Sequence, residues 1–138
     1  MQYPATFTPD TDGSLLVQFP DIPEAITSGK DEREAMAMAQ DCLLTALDFY
    51  FDDRRTIPKP SPVQSGQVAV DLDDMATMKV LLHNEMVAKG LRKADMARLL
   101  DIPAQHIGRL LNPKQTTRID LISQAFKALG KRMEIHVV

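Results

Sequence analysis

The apolar residues of this chain keep two different rhythms, and the change between them falls near Asp74. Before it, Tyr3, Ala5 and Phe7 alternate with polar or small residues, and so do Leu15, Val17 and Phe19. A period of two marks half-buried strands. Asp12-Gly13 lies between the two runs, and a glycine that tolerates positive φ makes this a turn, so a β-hairpin is expected. Ala35, Ala39, Leu43, Ala46, Leu47 and Tyr50 then recur at three- and four-residue spacings, the stripe of an amphipathic helix. Asp31 and Glu34 stand as a capping pair at its start, and it is expected to end near Phe51. Pro58, Pro60 and Pro62 exclude helix from the next stretch, after which Val68, Val70 and Leu72 alternate as one more strand. From Asp74 onward the period is helical, with one helix stopping at Gly90 and three more over 93–100, 104–111 and 118–129. Met133, Ile135 and Val137 then alternate as a closing strand. The pattern predicts an α+β chain of two domains: 1–72, a small ββαβ layer, and 73–138, an all-α domain with a C-terminal strand.

Charge divides at the same place. Residues 1–74 hold 14 acidic and 5 basic side chains, a net of −9. Residues 75–138 hold 5 acidic and 11 basic ones, a net of +6, so the −3 of the whole chain conceals two opposite bodies. The basic half suits a polyanion, and the acidic half suits a basic protein. No apolar run is long enough to span a membrane, and the N-terminus lacks the basic start and apolar core of a signal peptide. The single Cys42 lies in the apolar helical pattern and reads as a buried small hydrophobe. The expected location is the cytoplasm.

The stretch DMARLLDIPAQHIGRLLN, residues 95–112, reads as helix, break, helix. Ala97 is small where two helices would cross, and Leu100, Ile102 and Ile107 supply apolar anchors around the turn. Asp101 stands where glycine is common in such turns, and aspartate tolerates the left-handed conformation better than most residues. Pro103 has its φ preset for a helix start. A second helix of a DNA-reading pair presents polar residues at its N-terminal end to the major groove; here these are Gln105, His106 and, one turn on, Arg109. Glutamine pairs bidentately with adenine and arginine with guanine. Lys93 before the first helix and Lys114, Gln115, Thr116 and Arg118 after the second are phosphate-contact types. The competing reading is a plain packing of four helices with a solvated basic face.

With these residues in view, the chain resembles the HicB antitoxins of bacterial toxin–antitoxin pairs. FPDIPEAITSGKDEREAMAMAQDCLLTALDFYFDDRRTIPKPSP is similar to the N-terminal domain of that family, with its D-x-P turn, long helix and I-P-x-P exit. LRKADMARLLDIPAQHIGRLLNPKQTTRIDLISQAFKALG resembles the Cro/repressor-type helix-turn-helix that one branch carries. The resemblance implies a partial RNase H-like N-terminal fold that binds a small, basic, mRNA-cleaving HicA-type toxin. It further implies repression of the operon through the C-terminal domain. The toxin-contact segment expected on this basis is Asp21, Ile22, Pro23 and Glu24, although acidic residues on a solvated face are the plainer reading of the carboxylates. A homodimer or tetramer on a palindromic operator is expected, because one recognition helix makes few base contacts.

An enzyme is not expected. Two-metal nuclease chemistry needs converging carboxylates, and positions 1–8 and 14–20 hold none. His83, His106 and His136 lack metal-ligand spacing, so no metal or other cofactor is expected. A DNA-binding regulator whose acidic domain senses a small ligand, with no toxin partner, is the alternative function.

Overall fold

The computed structural model describes all 138 residues. Strand β1 (Gln2–Pro9) and strand β2 (Leu15–Gln18) form the expected hairpin, in antiparallel register from Pro9↔Leu15 to Thr6↔Gln18. Gly13 takes φ +86 in its turn, and the Asp12 carboxylate accepts from the Ser14 backbone N–H (3.0 Å) and hydroxyl (2.6 Å). Those bonds, the hydroxyl's foremost, hold the Asp12 carboxyl below its ordinary range.

A third strand, β3 (Ile26–Gly29), corrects the expected ββαβ order to βββαβ. It pairs with β2 from Leu15↔Gly29 to Gln18↔Ile26. Its sequence ITSG has no apolar rhythm; the open edge of β2 imposes the extended state. Strand β4 (Val68–Asp71) pairs with the other side of β1, which gives a four-stranded antiparallel sheet in the order β3-β2-β1-β4.

Helix α1 (Glu32–Asp52) buries the predicted stripe of Ala35, Ala39, Leu43, Ala46, Leu47 and Tyr50. Tyr3, Ala5, Val17 and Val70 are the buried hydrophobic residues of the sheet. Asp31 caps the helix by accepting from the Glu34 N–H (2.8 Å), while the Glu34 carboxylate reaches back to the Lys30 N–H (3.3 Å). Gly29 is where β3 runs into the start of α1: a Cβ there would lie 2.3 Å from the Ala35 nitrogen. Backbone cannot yield as a flexible side chain can. Gly29→Ala is therefore expected to destabilise the chain by about 1–3 kcal/mol, read as a lower midpoint in urea. A variant with an unchanged midpoint would mean that this approach is looser than it looks.

Helices α2 (Asp74–Ala88), α3 (Lys93–Leu100), α4 (Ala104–Leu110) and α5 (Ile119–Ala128) follow, each within one or two residues of its predicted bounds. They share a core that includes Leu82, Met86, Met96, Ile107, Leu110 and Ile122. Residues 131–138 form no strand, contrary to the expected C-terminal one. Alternation alone does not make a strand. None of the four strands pairs with this segment, and Ile135 and Val137 stand exposed.

By internal packing the chain divides into one unit of Met1–Tyr50 with Ile57–Asp74 and a second of Phe51–Thr56 with Met75–Val138. Asp52, Asp53, Arg54 and Arg55 cancel, so placing 51–56 with the second unit leaves the charges at −9 and +6.

Candidate nucleic-acid interface

The α3–turn–α4 segment is shaped by its own backbone chemistry. Helix α3 is capped at Arg92, whose N–H donates to the Asp95 carboxylate (2.7 Å). That bond, with Arg98 beside it, draws the Asp95 carboxyl below the usual range. Asp101 ends the helix in the left-handed region at φ 51, ψ 50, as its place in the sequence predicts. The Ile102 N–H donates to the Ala97 carbonyl (3.2 Å), closing the turn. Pro103, at φ −61 and ψ 147, leads into α4. Met96, Ile107 and Leu110 are buried beneath the pair, and α3 packs on both α4 and α5.

The side chains expected to meet DNA lie outside that core. Lys93, Gln105, His106, Arg109, Lys114, Gln115, Thr116 and Arg118 are all exposed. Gln105, His106 and Arg109 share α4, whose inward positions are Ile107 and Leu110. Lys114, Gln115 and Thr116 follow in a loop turned by Asn112. Its side-chain oxygen accepts from the Lys114 N–H (3.0 Å), and its carbonyl accepts from the Gln115 N–H (3.1 Å).

Beneath this loop lies a residue that the sequence reading overlooked. Lys79 of α2 is fully buried. Its ammonium donates to the carbonyls of Arg109 (2.8 Å), Asn112 (2.9 Å) and Gln115 (2.6 Å) and to the Thr117 hydroxyl (2.8 Å). A buried charge survives only when well partnered, and this one meets the acceptor-rich end of α4. A signal was available: Lys79 falls in step with Ala76, His83 and Met86 on the buried side of its helix.

His83 is a second buried polar residue of α2. Its Nε2–H donates to the Arg55 carbonyl (2.7 Å), and its ring lies 4.4 Å from that of Phe51, which holds the 51–56 segment in this unit. Burial pushes the imidazole pKa down from 6.5, with the Arg55 bond opposing. The folded state thus binds fewer protons than the unfolded one as pH falls through 6.5. The neutral ring's contribution to stability is complete above that value and is lost as pH drops through the lowered folded value. Thermal unfolding between pH 7.5 and 5.5 should show this loss in the wild type and less of it in His83→Gln. Equal slopes would remove His83 as the cause.

The acidic unit treats its expected contact segment differently. Asp21 accepts from the Ser61 N–H (2.8 Å) and hydroxyl (2.7 Å), and Glu24 accepts from the Tyr50 hydroxyl (2.7 Å). Ile22 is fully buried. This corrects the expectation for Ile22, which is a core residue held by the turn from Phe19 to Ala25. Pro23 is exposed, and so is part of Glu24. Nearby, the Tyr3 hydroxyl donates to the Pro58 carbonyl (2.7 Å) and anchors the proline-rich exit; burial first, then Asp21, pushes its pKa up to about 12. No group of three or more metal-ligating side chains converges anywhere, and no helix is long and apolar enough to cross a membrane.

The family model described as the HicB-like antitoxin of bacterial toxin–antitoxin systems matches residues 2–81. Antitoxin HicB of Escherichia coli K12 is 43% identical over 138 residues, covering all of both chains. Antitoxin HicB 2 of Photorhabdus laumondii is 47% identical over 135 residues, 98% of this chain and 95% of that one. Antitoxin HicB of Pseudomonas fluorescens is 32% identical over 126 residues, 91% and 86% of the two chains.

Proposed function

The chain belongs to the HicB-like antitoxin family, and on that footing we propose that it neutralises a small basic mRNA-cleaving toxin and represses its own operon. The domain of residues 1–72 takes the toxin and the domain of residues 73–138 takes the operator. Its role is regulatory and not enzymatic. Gln105 and Arg109 read bases, with His106 beside them. Lys93, Lys114, Gln115, Thr116 and Arg118 meet phosphates and fix register. Two copies present two α4 helices about 34 Å apart on a palindromic site, as a homodimer or as half of a tetramer.

The observation that carries this reading is the separation of charge into two bodies, −9 in one and +6 in the other, with all eight candidate DNA contacts exposed on the second. Opposite signs mixed on one surface would cancel; carried by different units, each attracts its own partner. On the acidic unit, Pro23 and Glu24 remain candidate toxin contacts, whereas Asp21 acts by holding the loop to Ser61.

Co-expression with a small basic protein encoded beside its gene is the test. Co-purification, together with a gel shift on the DNA flanking the same frame, is expected. Failure to retain that protein, with DNA binding intact, would favour the ligand-sensing regulator instead. A cavity of about 300 Å³, lined by Phe51, His83, Met86, Leu91 and Lys93 among others, offers a ligand site for a form of that second reading in which the second unit, and not the acidic domain, does the sensing. It would prevail if operator affinity followed an added small amphipathic anion and no protein partner was found.

A further inference from the structure

We infer that Lys79 is a positioning residue for DNA reading: one buried ammonium sets the spacing between the base-reading helix and the phosphate-contacting loop. The inference rests on the DNA-binding reading above.

Three of its four acceptors are main-chain carbonyls, and two of those belong to Arg109 and Gln115, themselves candidate contacts. The third is Asn112, whose side chain shapes the loop, and the fourth is the hydroxyl of Thr117, which stands next to Arg118. A single nitrogen on α2 therefore gathers the chain from 109 to 117. An ammonium has three N–H groups for these four acceptors, so one N–H is shared. No buried side-chain nitrogen or oxygen lacks a partner.

The consequence concerns geometry more than affinity for phosphate. Lys79 is fully buried, so its ammonium is out of reach of the DNA itself. What it fixes is where Arg109 points relative to Lys114, Gln115 and Arg118. Bidentate base recognition tolerates little displacement, whereas attraction to phosphate is long-ranged and forgiving. Removing the ammonium should thus cost specificity before it costs general DNA affinity.

Lys79→Met keeps the stem and removes the charge. The readouts are affinity for the DNA flanking the chain's own reading frame, affinity for an unrelated duplex, and amide exchange, all taken well below the variant's melting point. The specific-to-unrelated ratio is expected to fall at least about tenfold. Binding to the unrelated duplex should change less than about threefold. Exchange should accelerate at residues 110–117 and not in α5. Ile122→Val weakens the same unit's core without touching the loop, and it should keep the ratio. A folded Lys79→Met with the wild-type ratio would overturn the inference, and so would an Ile122→Val that lost the ratio equally. Should Lys79→Met not fold, Thr117→Val removes one acceptor and leaves three; an unchanged ratio there would overturn the inference too. A wild type that does not distinguish the two duplexes would defeat the DNA-binding reading instead. The exchange rates would then judge the positioning of 110–117 alone.

Discussion

Arg109→Ala is expected to lose about 1–3 kcal/mol of operator binding, roughly tenfold to a hundredfold, while its affinity for unrelated DNA barely moves. Arg109 is exposed on α4, two residues past Ile107, which is buried beneath it, so its truncation leaves the fold intact. Lys114→Ala should behave in the opposite way. It should weaken all sequences alike and lower the slope of log K against log salt by about 0.9. The pair of variants separates reading from holding. Both should retain full toxin neutralisation, because neither side chain lies in the acidic unit. If Arg109→Ala shifted the salt slope and left sequence preference alone, the roles assigned to the two residues would be reversed.

Ile107→Ala is expected to act through stability. Ile107 is fully buried, at the foot of α4 and among Met96, Leu110 and Ile122 of one shared core. Truncating such a side chain removes its transfer energy and leaves a cavity, together about 2–5 kcal/mol. In a unit of this size that lowers the melting temperature by about 10 °C or more. Operator binding should therefore vanish at 37 °C. Capture of the toxin should persist, since the sheet and the buried stripe of α1 belong to the other unit. Loss of both activities together would show that the two units stand or fall as one cooperative body.

Much of this fold is legible where the information is local. The turn at Asp12-Gly13, the Asp31 cap, the stripe of α1 and the left-handed Asp101 each depend on residues within a few positions, and all four sit where the sequence places them. The misses are matters of partnership. β3 is a strand because β2 offers an edge, not because ITSG prefers to be one. Residues 131–138 have the right alternation but pair with no strand of the chain. Asp21 and Glu24 read as surface charges, yet their partners Ser61 and Tyr50 lie 40 and 26 residues away. Lys79 is the same lesson in a helix: its acceptors are 30 to 38 residues distant. The exposure of the eight candidate DNA contacts was legible because it follows from the pattern of buried neighbours.

The central claim is that two opposite charges serve two partners from two separate bodies. The most direct test is an amide chemical-shift map of the full chain, titrated first with operator duplex and then with the toxin. DNA should shift Lys93, Gln105, His106, Arg109 and 114–118 and leave β1 to β4 untouched, while the toxin should shift amides of the acidic unit and leave α4 alone. Operator-induced shifts centred on the sheet, or toxin-induced shifts centred on α4, would contradict the account.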